Sequence, residues 1–294
     1  AFDNKDFELL LLHNFDSETI LEVKKHTKLV KDIRIPVYKE SVKEKFFREL
    51  ICYSRLHSNS NKVKNSSILY NLKKDHKGVF KKLFYLIVSF LAPLSAKKYK
   101  YILFLERLYQ KQIHKNKFYN ESKKILVDSN TKILFCSHQR GLKAATIFAA
   151  ANDLGIKTTT VIYSWDNLPK ARLALRSDRY FVWSEYMKNE MKLYYPEITP
   201  NKVVVTGSPQ FECYHKPENI IEKNTFFNTY DLDLNKKIIC FSGDDVKTSP
   251  DDPQYLYDIA IAIEKANLQS EYQILFRRCP VDISDRFDGV LKQF

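Results

Sequence analysis

The segment that decides the fold opens with Ser164-Trp165-Asp166-Asn167-Leu168-Pro169 and closes with Val203-Val204-Val205-Thr206-Gly207-Ser208-Pro209-Gln210-Phe211. At both ends of this segment, polar and turn-forming residues directly follow a short apolar run. Ligands of open α/β sheets bind beyond the carboxyl ends of the strands. Polar residues that recur after buried strands therefore predict a ligand-binding edge of a sheet.

The residues around this segment predict alternating strands and helices. Helical patterns at residues 142–153 and 185–195 are separated by short runs, and Gly155 suits the end of the first helix. The predicted strands are residues 132–136, 157–163, 180–183 and 202–206. Strands and helices that alternate at this spacing indicate βαβ units and a parallel sheet. The predicted fold class is α/β.

The N-terminal part of the chain predicts one further strand and a helical region. Residues 7–12 form an apolar run typical of a buried strand, and residues 17–26 follow as a helix. Residues 41–125 are mostly helical in pattern, whereas the Asn-, Ser- and Lys-rich residues 58–67 predict a mobile loop.

A polar stretch at residues 216–235 predicts a linker. We therefore expect two Rossmann-like domains with parallel sheets, residues 1–216 with a helical insertion and residues 217–294. In the second, strands at 237–242 and 273–276 flank a helix at 253–266, with Asp252 as its cap and Pro253 at its first position. So few strands lead us to expect that the chain represents this domain only in part.

The composition excludes a disordered chain, and its positive charge indicates either an anionic partner or only the Lys-, Asn- and Ile-rich usage of an AT-rich genome. The 294 residues are 44% hydrophobic and 14% aromatic, and their net charge is +13. Such a charge favours phosphate, whether in nucleic acid, anionic lipid or a nucleotide substrate. A basic nucleic-acid-binding protein is the alternative of another class. The lysines are scattered and no RNA-binding signature appears, so this alternative is disfavoured.

The cysteines argue against a disulfide framework and a zinc site. They are odd in number, widely spread and form no CxxC pair: Cys52, Cys136, Cys213, Cys240 and Cys279. This usage is typical of a reducing compartment, so we expect a cytoplasmic protein without a zinc site.

One apolar run, residues 83–94, lies between lysine pairs. Lys81 and Lys82 precede it, and Lys97 and Lys98 follow it. It is shorter than the roughly 20 residues that cross a bilayer. A buried helix with solvated lysines at its ends is the favoured interpretation, and peripheral attachment to an anionic membrane surface is the alternative.

Ser137-His138-Gln139-Arg140-Gly141 lies where a predicted strand turns into a helix. The free N–H groups of a helix N-terminus favour an anion. His138 is a candidate general base for an acceptor hydroxyl, and Arg140 a candidate ligand for phosphate or carboxylate. A helix-capping histidine and a solvated arginine are the alternatives.

Ser164, Trp165, Asp166 and Asn167 follow the next predicted strand. Asp166 is a second candidate catalytic residue, because a carboxylate accepts hydrogen bonds from sugar hydroxyls, and Trp165 can stack on an apolar ring face. Together with Arg140, the residues Ser164, Trp165 and Asn167 are candidates for binding the acceptor substrate, the molecule that carries the hydroxyl. A turn stabilised by Asp and Asn side chains is the competing explanation.

A second set of candidates would contact a phosphorylated donor. Gly207 and Ser208 provide close backbone approach and a small hydroxyl, and the adjacent Arg277 and Arg278 can clamp a diphosphate. Gly243 and Asp244 directly follow the predicted strand at residues 237–242 and belong to the same set of candidates. A tight turn and ordinary surface arginines are the alternatives.

Three stretches of the sequence together resemble bacterial glycosyltransferases of the GT-B fold, especially those that make capsule, lipopolysaccharide or other surface glycans. They are residues 164–167, 178–188 and 204–211. Arg277-Arg278-Cys279-Pro280 also resembles the Arg-x-His-Pro segment of CDP-glycerol glycerophosphotransferases, with Cys279 in place of the histidine. The resemblance covers roughly residues 130 to 291.

The resemblance implies metal-independent transfer of a sugar from a nucleotide sugar to a glycan or lipid-linked acceptor, with no metal and no bound cofactor besides the nucleotide-sugar substrate. It also implies that the donor binds mainly to the second domain and the acceptor mainly to the first, within a cleft. A nucleotide-sugar epimerase, a polyol-phosphate transferase and a catalytically inactive fragment are the alternatives.

Overall fold

The computed structural model of the chain describes residues 8–26, 30–72, 77–171 and 173–294. It is an α/β protein with parallel sheets, as predicted, and about 51% of it is helical. The chain divides into two compact units, Ala1–Ser208 and Pro209–Phe294. Each unit is described by itself.

The first unit begins with a small βαβ unit and continues into a helical layer. Strands β1 (Leu9–His13) and β2 (Val30–Arg34) are parallel and are joined by helix α1 (Ser17–His26). The layer consists of α2 (Val42–Val63), α3 (Val79–Ala96), α4 (Tyr99–Ile113) and α5 (Lys117–Asp128). The predictions for residues 8–12, 17–26 and 41–125 are confirmed, and Phe7 lies outside the described residues.

The four predicted strands form one parallel sheet in the order β3-β4-β5-β6. They are β3 (Ile133–Cys136), β4 (Lys157–Val161), β5 (Arg179–Val182) and β6 (Val203–Val205). Helix α6 (Leu142–Asp153) connects β3 to β4, and α7 (Glu185–Tyr194) connects β5 to β6. Sequential neighbours thus lie side by side, so the segments that follow β3 and β4 meet at one edge of the sheet.

Gly155 ends α6 as predicted. It adopts φ +70°, a left-handed conformation that costs glycine little, and the amide of Ile156 returns to the carbonyl of Ala151 at 2.9 Å. This return directs the chain from α6 into β4.

The prediction of a mobile loop at residues 58–67 is wrong. Residues 58–63 form the last turns of α2, where Ser58, Asn59 and Ser60 are buried. The side-chain amide of Asn59 donates to the carbonyl of Pro169 at 3.2 Å. Helix α2 ends at Val63, Lys64 caps it in the left-handed conformation, and a short 3-10 helix follows at Ser66–Asn71. A polar sequence here is helical because its polar groups find partners inside the protein.

A buried arginine joins the helical layer to the sheet. Arg55 of α2 is 2% exposed, and its guanidinium donates to Glu106 of α4, to Glu197 at 2.8 Å and to the Tyr99 hydroxyl at 2.6 Å. Arg176, just before β5, shares Glu106 at 2.5 Å. Burial alone would raise the pKa of Glu106, but the charges of Arg176 and Arg55 lower it below its ordinary value. We call these five residues the Arg55 cluster.

Helix α3 differs from the favoured expectation of a buried helix. Only Tyr85, Val88 and Ala92 of its 18 residues are buried, and they pack against Leu50 and Tyr53 of α2. Its other face is exposed although it is apolar. Among the described residues, α3 is the helix long and apolar enough to cross a membrane by length and composition.

The second unit contains a two-stranded parallel sheet, β7 (Lys237–Ser242) and β8 (Tyr272–Arg277). Helix α9 (Asp252–Lys265) connects these strands, α8 (Lys223–Thr229) precedes them, and α10 (Asp288–Leu291) follows. Both predicted strands and the helix between them are confirmed. The prediction that Asp252 caps α9 is wrong, because Asp252 is itself the first helical residue and Asp251 occupies the cap position.

We expect Arg55→Met to lower the free energy of unfolding by about 3–5 kcal/mol, because Glu106 and Glu197 then share one cation, Arg176, instead of two. Urea denaturation measures this change. Arg107→Met, at an exposed position of α4, is the matched control and should change the stability by less than about 0.5 kcal/mol. Equal stabilities of the Arg55 and Arg107 variants would contradict the role of the Arg55 cluster.

Candidate functional site

The candidate catalytic residues follow two neighbouring strands. Strands β3 and β4 are paired in parallel, from Ile133 opposite Lys157 to Cys136 opposite Thr160. His138 comes two residues after β3 ends, and Asp166 lies in the turn that follows β4. The Thr160 hydroxyl donates to the Cys136 carbonyl at 3.0 Å and ties the two strand ends together. The structure therefore places both residues at the same edge of the sheet.

A direct contact joins the two loops. A guanidinium nitrogen of Arg140 donates to the side-chain oxygen of Asn167. Asn167 is buried, with 5% of its surface exposed, whereas Arg140 is half-buried. Two predicted acceptor ligands from different loops are thus in contact, and Asn167 orients the arginine beside Asp166.

Asp166 is an ionised, paired carboxylate. Burial acts to raise its pKa, but hydrogen bonds from Lys170 and Ser164 and the charges of Lys170 and Arg140 lower the pKa overall. Lys170 forms an ion pair with it four residues along the chain. A carboxylate with a lowered pKa is a weak proton acceptor but a good hydrogen-bond acceptor. This environment suits binding of hydroxyl groups better than proton abstraction.

His138 is exposed and lies against an aromatic ring. Its ring centroid is 5.3 Å from that of Tyr163, and its Nδ1 accepts the backbone amide of Arg140 at 3.3 Å. That bond is long, so a hydroxyl of a bound ligand can replace it. The imidazole is therefore open to solvent and accessible to a ligand.

Gln139 holds the loop after β3 against the loop after β4. It is 1% exposed, its Oε1 accepts the amide of Tyr163 at 3.0 Å, and its carbonyl accepts the amide of Ala174 at 3.0 Å. Within the described residues its Nε2 is buried without a hydrogen-bond partner. Gln139 and Lys170 are site residues that the sequence analysis missed. The spacing of Lys170 from Asp166 was a usable signal, whereas nothing in the sequence marks Gln139 as buried.

Arg140 is one of the residues that line a cavity of about 920 Å³ between the helical layer and α6. Its apolar wall includes Ile51, Leu103, Leu142 and Leu173. Its five Arg and Lys side chains are Arg48, Arg107, Lys111, Arg140 and Arg176, its histidine is His114, and its three carboxylates are Glu49, Glu106 and Asp153. Among the described residues, Arg107 and Lys111 form no ion pair. The cavity therefore suits an anionic ligand that also carries an apolar group.

The remaining candidates of the first unit are less closely connected. Trp165 is 67% exposed, so its ring can stack on a ligand, and Ser164 donates its hydroxyl to Asp166. Gly207 adopts φ +77°, which a turn after β6 requires. The Ser208 hydroxyl is buried, and among the described residues it has no hydrogen-bond partner.

In the second unit, Gly243 is explained by packing. A Cβ at this position would lie 3.3 Å from the Phe287 ring, 3.4 Å from Phe276 and 3.5 Å from the Asp252 carboxylate. The amide of Asp244 donates to that same carboxylate at 2.7 Å, and its carbonyl accepts from Arg286 at 2.8 Å. The glycine thus accommodates the protein's own aromatic side chains.

The two adjacent arginines of the second unit differ in their surroundings. Arg277 is exposed at the end of β8. Arg278 donates to the Ser284 carbonyl at 3.0 Å, lies 3.5 Å from Asp288 and stacks over Phe287. Arg286 is a further arginine, missed by the sequence analysis, which binds Asp282 at 2.7 Å and the carbonyls of Ser249 and Asp244. Of the three, Arg277 is the one most accessible to a ligand.

Within the described ranges, no group of three or more His, Cys, Asp or Glu side chains could hold a metal ion. Comparison with family models, with curated proteins and with solved structures finds no match for this chain.

We expect Gln139→Ala to lower the free energy of unfolding by about 1–3 kcal/mol, because it leaves the Tyr163 amide without its acceptor. His138→Ala should change the stability by less than about 0.5 kcal/mol, because that side chain is exposed. Thermal and urea denaturation of the two adjacent variants test this contrast. Equal losses would show that His138 is as much a part of the framework as Gln139.

Proposed function

We propose that the protein transfers a sugar from a nucleotide sugar to a glycan or lipid-linked acceptor, as a GT-B-type enzyme of surface-polysaccharide synthesis. The observation that carries the proposal is the hydrogen bond between Arg140 and Asn167. It brings a cation, the carboxylate of Asp166 and the exposed imidazole of His138 to one edge of a parallel sheet. These are the groups that a hydroxyl-bearing, anionic ligand needs.

The acceptor is assigned to the first unit. The cavity that Arg140 helps to line combines an apolar wall with an excess of basic side chains. A sugar or lipid-linked phosphate offers both an anion and an apolar group, so it matches this lining. Asp166 and Trp165 would then bind the hydroxyls and the ring face of its sugar.

The donor is assigned to the second unit, where Arg277 would bind the diphosphate. In the transfer step, an acceptor hydroxyl oxygen attacks the anomeric carbon of the donor sugar, and the bond from that carbon to the diphosphate breaks. The hydroxyl proton passes to Nδ1 of His138, and the nucleoside diphosphate leaves with both bonding electrons. No metal ion is required when cationic side chains neutralise the leaving group.

The activity is tested with a panel of nucleotide sugars, with and without acceptor glycans and lipid-linked sugars. Release of nucleoside diphosphate that requires the acceptor supports the proposal. Interconversion of nucleotide sugars without an acceptor indicates an epimerase. Salt-dependent binding of random duplex DNA, together with no affinity for any nucleotide sugar, indicates a nucleic-acid-binding protein.

A polyol-phosphate transferase is the second candidate, favoured by the Arg277-Arg278-Cys279-Pro280 segment. With a CDP-linked polyol as donor, the acceptor hydroxyl attacks the phosphorus distal to cytidine, and CMP leaves. Detection of CMP and of a phosphodiester in the product distinguishes this reaction from sugar transfer.

We expect His138→Ala to lower kcat by about 10²–10⁴-fold, the usual contribution of a general base. The KM values for donor and acceptor should change little, because the exposed imidazole makes few binding contacts. Steady-state kinetics with the substrate pair found in the panel measure both constants. Wild-type turnover by this variant would eliminate His138 as the base.

Arg277→Ala is the matched comparison in the other unit. It should raise the KM for the donor and leave the KM for the acceptor unchanged, because Arg277 is assigned to the diphosphate. Arg286→Ala is unsuitable as a control, because Arg286 holds the loop of residues 244–250 in place.

A further inference from the structure

The exposed face of α3 is apolar along its whole length. Its seven large apolar residues that point away from α2 have exposed fractions from 43% to 90%: Val79, Phe80, Leu83, Leu86, Ile87, Phe90 and Leu94. Their spacing of three and four residues places them on one side of the helix, opposite Tyr85, Val88 and Ala92. We call these seven residues the α3 face.

The charges around the α3 face have one sign. Residues 77–100 contain no Asp or Glu. Six lysines, all exposed, lie at the two ends of the helix: Lys77, Lys81, Lys82, Lys97, Lys98 and Lys100. A contiguous apolar face with cations at both ends is complementary to a surface that is apolar inside and negatively charged outside. An anionic lipid bilayer is such a surface.

The packing of α3 defines how it would meet the bilayer. Tyr85 stacks with Tyr53 of α2 at 6.0 Å, and Phe84 contacts Phe46 edge-on at 6.0 Å. The helix is therefore held along α2 by the face opposite to the α3 face. This attachment favours a helix that lies in the plane of the membrane interface over one that leaves the fold to span the bilayer.

We propose that the α3 face and its flanking lysines dock the first unit on an anionic membrane surface, with α3 parallel to the bilayer plane. The apolar side chains enter the boundary between headgroups and acyl chains, and the lysines contact anionic headgroups. This inference rests on exposure and charge alone and does not depend on the proposed sugar transfer.

Vesicle co-sedimentation of the full chain tests the proposal. We expect binding to vesicles of phosphatidylcholine and phosphatidylglycerol in equal parts, and little binding to pure phosphatidylcholine. Phe80→Ser with Phe90→Ser should weaken the binding at least about tenfold, because two apolar anchors are lost. Lys81→Glu with Lys82→Glu should weaken it by about tenfold or more, and added salt should reduce binding by the wild type.

Matched controls keep the test specific to α3. Tyr186→Ser with Val37→Ser removes two exposed apolar side chains elsewhere in the same unit. Lys115→Glu with Lys117→Glu reverses two exposed lysines, one between α4 and α5 and one at the first residue of α5. Both should bind anionic vesicles like the wild type. Circular dichroism confirms that each variant is folded.

Three results would overturn the proposal. The first is recovery of the wild type in the supernatant with both kinds of vesicle. The second is equal loss of binding in the α3 variants and their controls. The third is concentration-dependent self-association that Phe80→Ser with Phe90→Ser abolishes, with no vesicle binding, which would make the α3 face an interface between copies of the chain.

Discussion

The pairing of Arg55 is the interaction on which the first unit depends. A guanidinium that is 2% exposed loses its hydration, so it is stable only with carboxylates held in place. Glu106 and Glu197 come from α4 and from the segment after α7, and Arg176 adds a second cation from the segment before β5. The Arg55 cluster therefore ties the helical layer to the segments before β5 and after α7.

This constraint also shapes the candidate acceptor site. Glu106 and Arg176 belong to the Arg55 cluster, and together with Arg140 they line the cavity. The cavity walls on α4 and on the segment before β5 are thus held by the same ion pairs that hold the fold. Binding to such a preformed cavity loses little conformational entropy, because its walls are already ordered.

The sheet could be predicted from the sequence because its strands are short apolar runs with turn-forming residues between them. The end of α2 could not, since Ser58, Asn59 and Ser60 are polar residues whose burial depends on partners far along the chain, such as Pro169. The exposure of α3 is the reverse case, in which apolar residues predicted to be buried are exposed. An apolar run indicates a buried helix unless the structure shows that too few elements pack around it.

The candidate site also has features that the sequence predicts and features that it does not. Polar residues after β3 and β4 mark the edge of the sheet, so the positions of His138, Arg140 and Asp166 followed from the pattern. The contact of Arg140 with Asn167 and the burial of Gln139 depend on how two loops pack, which no local pattern encodes. In the second unit, Gly243 has the features of a ligand-binding glycine, yet the space beside it is filled by Phe276 and Phe287.

We propose that ligands of the first unit bind at the edge of the sheet that follows β3 and β4. Hydrogen–deuterium exchange of the wild type, with and without nucleotide sugars and sugar acceptors, can detect such binding. We expect slower amide exchange in residues 137–141 and 164–170 when an acceptor binds. Acceptor-dependent protection that is confined to other segments of the first unit, with these two unchanged, would contradict it.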